Sequence, residues 1–201
     1  MTKAELIASV QKLILKQGVT QDSLKSVHPK VVEGEIGKAY NTVMKTYYAN
    51  DNVLMNAELD FYAKKYTEKI KKDDDGFFYI DLPARTVELK ENLGIRSVVP
   101  KGGVYQFVRM RQNTLARIRH LPAYCCLKDA YFYIDGNRIV FDFPIAEHAL
   151  IEEVYVKLLP LFEEFEDTDN IEFPGGDMAA MQLIMQMMGF RQTDAVNDDI
   201  K

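Results

Sequence analysis

Four of the eight arginines fall at Arg109, Arg111, Arg117 and Arg119, with His120 beside them. Guanidinium groups gathered this way suit an acidic partner surface or a phosphate backbone, because their planar forks match carboxylate and phosphate oxygens. No aromatic platform interleaves them and the chain's net charge is -5, so the pattern favours a protein partner over DNA. A solvated helix or loop face is the alternative reading.

Other groups able to do chemistry are poorly placed for it. His28, His120 and His148 are far apart and lack paired-ligand spacing, so no shared metal site is expected. Cys125 and Cys126 are adjacent, which makes an ordinary bridge between them sterically poor; on a strand one would face the core and one away. Glu152, Glu153, Glu163, Glu164, Glu166, Asp167 and Asp169 lack the central glycine and terminal glutamate of a calcium loop and read as solvated acid. Gly102-Gly103 reads as a hairpin turn and Gly175-Gly176 as a helix entry, since neither leads into a phosphate-binding lysine. No catalytic, metal-binding or cofactor-binding residue is therefore assigned, and no cofactor is expected.

The elements that must position these groups divide by hydrophobic period. The 201 residues, 47% hydrophobic and 27% charged, fit one globular α+β domain over 1–189 with a tail at 190–201. No charged-then-apolar leader and no run of about 20 apolar residues is present, so a soluble protein with no membrane association is expected.

The helical part spans 1–50. Thr2 and Glu5 form a T-x-x-E capping box ahead of Leu6, Ile7, Val10, Leu13 and Ile14, with Gly18 as the stop. After a turn from Val19 to His28, Pro29 opens a second stripe through Val32, Ile36, Ala39, Tyr40, Val43, Met44 and Tyr47 to about Asn50. Gly34 and Gly37 in it permit close approach of a neighbouring backbone.

From 59 to 173 the period shortens. Leu59 to Ile70 fits a helix by spacing, but the turn signal Asp73-Asp74-Asp75-Gly76 favours a hairpin joining Lys65–Lys71 to Phe77–Leu82. Further strands are expected at Val87–Leu89, Ile95–Val99, Val104–Met110, Tyr124–Ile134, Arg138–Phe143 and Val154–Leu159, with Asp135-Gly136 the sharpest hairpin signal. An acidic connector, Glu163 to Asn170, leads to a short strand at Ile171–Phe173. A closing helix then runs from an Asp177 cap to Met188, with Met178, Met181, Ile184, Met185 and Met188 on one side and Gly189 at its end. The result is helices flanking a mostly antiparallel sheet.

The candidate partner-interface residues are Tyr40, Met44 and Tyr47 on the second helix, Arg109, Arg111, Arg117 and Arg119, Met181, Met185 and Met188 on the last helix, and Asp198 and Asp199 in the tail. The methionines suit a surface that must fit a neighbour adaptably.

Several short segments carry a resemblance: two N-terminal helices, Tyr79-Ile80-Asp81-Leu82-Pro83, Gly94-Ile95-Arg96-Ser97-Val98-Val99-Pro100, the Tyr133–Ile139 hairpin, Ile171-Glu172-Phe173-Pro174, and Asn197-Asp198-Asp199. Together they resemble the ring-forming head-to-tail connector proteins of short-tailed phages, particularly crAss-like phages of gut Bacteroidales. The tail tubular protein A class of adaptors is more distantly similar in size and layout.

The resemblance implies a non-enzymatic subunit of a dodecameric ring below the portal protein. Such a subunit helps to form the DNA channel and docks adjacent neck or tail proteins, in a virion neck assembled in the bacterial cytoplasm. It carries over no catalytic residue. Two alternatives stand beside it: a DNA-binding accessory protein using Arg109 to Arg119, and a small hydrolase with a carboxylate or Cys125 nucleophile.

Overall fold

Helix α1 (Lys3–Lys16) begins with the reciprocal bonds that its sequence requires: the Thr2 N–H donates to Glu5 Oε2 at 2.9 Å, and the Glu5 N–H to Thr2 Oγ1 at 3.2 Å. The bond from the Thr2 backbone holds the Glu5 carboxyl below its usual pKa. The computed structural model describes residues 1–16, 28–49, 59–103, 106–121, 123–124, 129–144, 150–174 and 176–189. Gly18 and the turn beyond it, Asn50, Cys125, Cys126, His148, Gly175 and the tail with Asp198 and Asp199 lie outside the described residues.

The described residues form four α-helices and mostly antiparallel sheets, an α+β fold. Contacts group the chain into two compact units, Met1–Tyr62 with Leu161–Lys201, and Ala63–Pro160.

In the first unit, α2 (Pro29–Ala49) packs against α1 and against the last helix, Gly176–Met187. Leu6, Val10 and Ile14 of α1 meet an apolar interior supplied by Val32, Ile36, Ala39, Tyr40 and Met44 of α2, and by Ala180, Ile184 and Met185. These positions follow the helical period, which is why the stripes are legible in sequence.

The acidic connector completes this unit. Phe162 and Phe165 are buried, and the Tyr40 ring lies 6.0 Å from Phe162, 5.8 Å from Phe165 and 5.4 Å from Phe173. A Cβ on Gly37 would sit 3.0 Å from Glu163 Oε1 and 3.6 Å from Phe162, so this glycine makes room for side chains rather than for the neighbouring backbone expected there. Gly34 does not serve that purpose, because nothing lies within 4 Å of a Cβ built there. The strand expected at Ile171–Phe173 is absent; a single bridge joins Asn170 to Thr2, and Ile171 and Phe173 are buried as core side chains. Gly189, at φ 81, donates its N–H to the Gln186 carbonyl at 3.0 Å and closes the last helix.

The described residues of the second unit form eight strands: β1 (Lys64–Lys69), β2 (Lys71–Lys72), β3 (Phe78–Asp81), β4 (Ile95–Pro100), β5 (Val108–Arg109), β6 (Tyr131–Asp135), β7 (Arg138–Asp142) and β8 (Glu153–Leu158). They form a three-stranded sheet, β1-β8-β4, and a five-stranded one, β2-β3-β7-β6-β5, in which only the β5–β6 pair is parallel. Ile80, Phe132, Ile139 and Phe141 of the larger sheet share a core with Val98, Val154, Val156 and Leu158 of the smaller. The opposite face of the larger sheet, Tyr131, Tyr133 and Val140, packs on Leu115 of α3 (Gln112–Ile118). β6 and β7 are thus covered on both faces, which explains their unbroken apolar runs.

The Asp135–Arg138 hairpin forms as expected, with Gly136 at φ 56 in its two-residue turn. The earlier hairpin forms only in part. Lys71 and Lys72 pair with Tyr79 and Phe78 across the Asp73–Gly76 turn, but Lys64–Lys69 pairs with β8 in the other sheet, Tyr66 opposite Val156. The turn chemistry is local, whereas the partner of Tyr66 is chosen by the apolar face of a strand some 90 residues away in sequence, Tyr66 to Val156.

Four other expectations are corrected. Val87–Leu89 makes no strand: Thr86 forms one bridge with Pro160, and the Val87 N–H donates to the Leu159 carbonyl at 2.9 Å. Within Val104–Met110 only Val108–Arg109 is a strand, 104 and 105 lying outside the described residues, and Tyr124 belongs to a short 3-10 turn rather than to β6. Gly102-Gly103 does make a turn, the Gly103 N–H donating to the Pro100 carbonyl at 3.0 Å, but β4 and β5 then enter different sheets.

Candidate partner interface

The four arginines have four different surroundings. Arg119, just after α3, is committed inside its own unit: Nε donates to Asp142 Oδ2 at 3.0 Å and Nη2 lies 2.8 Å from Asp142 Oδ1. The Tyr124 hydroxyl donates to the same carboxylate, and the Arg119 guanidinium lies 5.9 Å from the Phe77 ring. The Asp142 bond raises the Arg119 pKa further above its ordinary value, and burial, then the Asp142 bond, pushes Tyr124 up. Arg119 therefore ties the end of α3 to β7, with its side chain still 32% exposed.

Arg109 is half-buried on β5, while Arg111 and Arg117 are exposed. On α3 the buried Leu115 sets the phase, so Arg117, two residues on, points away from the sheet. Arg109 and Arg111 line an open cleft of about 540 Å³ with Asn92, Met110, Gln112, Tyr133 and Ile134. Asn92 adopts φ 56, a conformation that asparagine tolerates better than most residues. Burial, the largest cause, pushes the Tyr133 hydroxyl pKa up, so it stays protonated and able to donate.

The cleft's lining thus combines guanidinium, amide and phenol donors with two apolar side chains. Among the described residues that line it there is no carboxylate. Basic groups of this unit are engaged with neighbours, Arg109 and Arg111 among them: Lys71 lies 2.6 Å from Asp81, Lys101 pairs with Glu153, Lys65 stands 3.3 Å from the centre of the Tyr155 ring, and Arg138 lies 4.4 Å from that of Tyr79.

The remaining candidates separate by burial. Tyr40, Met44 and Met185 are core residues, at 1%, 0% and 5% exposure, and cannot present a contact surface. Tyr47, Met181 and Met188 are half-buried. The methionines that do face outward are Met178 and Met187, at 73% and 39%. Of the expected stripe, Ile184 and Met185 face the core with Ala180, while Met178 at the helix start is exposed, as is the off-stripe Met187.

His28 accepts the Lys30 N–H on Nδ1 at 3.3 Å at the start of α2, and His120 is exposed. Among the described residues no three His, Cys, Asp or Glu side chains gather as a metal site, and no helix is long and apolar enough to cross a membrane. Asn92, Gln112 and Tyr133 escaped sequence reading because they come from three separated segments and each is unremarkable in its own. In comparisons with known proteins, neither a family model nor a curated protein matches the chain.

Proposed function

We propose that the chain is a non-enzymatic structural subunit of a virion neck, one copy in an oligomeric, dodecameric ring below the portal protein that forms part of the DNA channel and docks neighbouring tail components. The observation that carries the reading is the set of short segments resembling head-to-tail connector proteins, three of which fall on strands of the second unit. Tyr79–Asp81 belongs to β3, Ile95–Pro100 is β4, and Tyr133–Ile139 spans the β6–β7 hairpin.

A closed ring requires two unlike surfaces on every subunit, because its contact is heterologous. The unequal charge of the two units supplies a physical basis for that. The unit containing the helical core carries nine Lys and Arg against seventeen Asp and Glu, a net of -8; the other carries sixteen against thirteen, a net of +3.

Electron microscopy of virions, or of the protein mixed with its portal, tests the reading. The expected result is a symmetric ring at the neck built from this chain. Absence from particles that otherwise contain a complete neck overturns it. The exposed arginines favour a second reading, a DNA-binding accessory protein, which predicts duplex binding by the isolated protein that weakens steeply with salt.

A further inference from the structure

We propose that the outward face of the three-stranded sheet β1-β8-β4 binds the phosphate backbone of a nucleic-acid duplex, with Lys157 and Lys69 as its principal charges. This contact lies beyond the ring reading and can fail without it.

Side chains alternate across a strand, so the residues between the buried Val154, Val156 and Leu158 of β8 point away from the core. Those residues, Glu153, Tyr155 and Lys157, stand opposite Lys69, Thr67 and Lys65 of β1, and Ser97 of β4 lies on the other side of Lys157. Lys65, Lys69 and Lys157 are all exposed. Glu153 is the one carboxylate among them, and Lys101 pairs with it. Lys65 carries its ammonium over the Tyr155 ring, 3.3 Å from the centre. Lys157 faces Lys65 directly, a like-charge pair that costs stability on a sheet surface, and among the described residues no carboxylate pairs with it.

Lysines on an edge strand discourage pairing with other chains, and that role accounts for Lys65 and Lys69 on β1. It does not account for Lys157, because β8 is paired on both sides. An anion lying along the face relieves the repulsion between Lys65 and Lys157, and the hydroxyls of Thr67 and Ser97 are of the kind that contact phosphate oxygens. Area then separates the occupants. Three strands about 4.8 Å apart, with six residues at about 3.3 Å each, give a face of roughly 200 Å², well below the roughly 800 Å² per partner of a stable protein interface. A backbone can cross such a face with a few phosphates in reach. The Tyr155 ring is capped by Lys65, so no open stacking platform is offered to an unpaired base, which favours a duplex over a single strand. The chain's net charge of -5 does not forbid the contact, since exposed charges more than about 8 Å away are largely screened at physiological salt.

The test is fluorescence anisotropy of a short DNA duplex titrated with the full chain between about 50 and 200 mM salt. The parent chain is expected to bind with an affinity that falls steeply with salt. Lys69→Gln with Lys157→Gln is expected to weaken binding about tenfold at low salt and to reduce the slope of log affinity against log salt by about two. Arg117→Gln is the control and is expected to leave binding unchanged. Melting curves establish that each variant is folded, and Lys157→Gln alone is expected to melt at or above the parent's temperature because it ends the repulsion from Lys65. If the pair fails to fold, either single substitution serves, with a slope reduced by about one. Duplex binding as tight in the folded double variant as in the parent overturns the proposal, and so does the absence of duplex binding by the parent at low salt. Tighter binding of single-stranded than of duplex DNA overturns the assignment to a duplex. Loss of ring formation on the portal with duplex binding unchanged shows that the face meets a protein, and also overturns the proposal. The ring reading is decided separately, by whether this chain forms a symmetric ring at the neck.

Discussion

The arginine segment and the acidic connector look alike in sequence, each a run of one charge between apolar elements, yet the chain uses them differently. In the connector the carboxylates Glu163, Glu166 and Asp167 face outward, while the order comes from buried rings and backbone bonds. In the arginine segment one of the charges is itself structural: Arg119 is held by the Asp142 fork and stacks near Phe77. Charge density therefore says little about availability. A guanidinium forked onto a half-buried carboxylate is engaged internally, and a carboxylate on an anchored turn faces outward.

The largest break in this comparison is expected at the connector's anchor. Phe162→Ala removes a fully buried ring touching Tyr40 and Gly37, and should cost about 3–5 kcal/mol in urea unfolding. By contrast Glu166→Gln with Asp167→Asn should stay within about 0.5 kcal/mol. A large loss from the carboxylate pair would show that these charges support the fold.

Asp142→Ala strikes the arginine segment where its charge is structural. It strands Arg119 and Tyr124 together, and should cost about 2–3 kcal/mol, measured by the same unfolding curves. Arg117→Ala, two residues from Arg119 on the outward face, should cost no more than about 0.5 kcal/mol. Equal effects at Arg117 and Arg119 would erase the distinction drawn between them.

Gly94→Ala is a smaller, purely steric break in the sheet unit. The new Cβ would lie 2.6 Å from the Val87 carbonyl oxygen, a backbone atom that cannot swing aside, and a loss of about 1–3 kcal/mol is expected. Gly34→Ala should be neutral or slightly stabilising, since it fills open space on a helix.

The smallest expected effect is on pH dependence. Glu5 in the capping box, Asp81 beside Lys71 and Glu153 beside Lys101 all have folded pKa values below their ordinary ones, through hydrogen bonds to the Thr2 backbone, to Lys71 and to Lys101 respectively. Their contribution to stability is complete above the ordinary carboxylate values and is lost as pH falls through the depressed folded values. Glu5→Gln should flatten part of the acid limb of a stability–pH curve. An unchanged acid limb would mean that the capping carboxylate adds nothing measurable.

Much of the helical unit was legible because its signals are local. The Thr2–Glu5 box, the Val32–Met44 stripe and Gly189 each state their role within one or two turns of helix. The sheet unit was legible as strands and as one sharp hairpin, but not in its pairing. Lys64–Lys69 carries no mark that it belongs with Glu153–Leu158, and the Asp73–Gly76 turn suggested a nearer partner. The cleft was half legible: its arginines stand out, while Asn92 and Tyr133 do not.

By itself the sequence determined most of the helical and extended segments, where several of them stop, and that the chain is α+β. Those properties depend on side-chain period, capping and turn residues, which act over a few positions. Only the tertiary structure decided which strand lies beside which, which residues of the methionine helix are core, and that Arg119 is tied to Asp142. These outcomes are set by contacts between residues distant in the chain, whose choice depends on how the whole apolar surface can be buried at once.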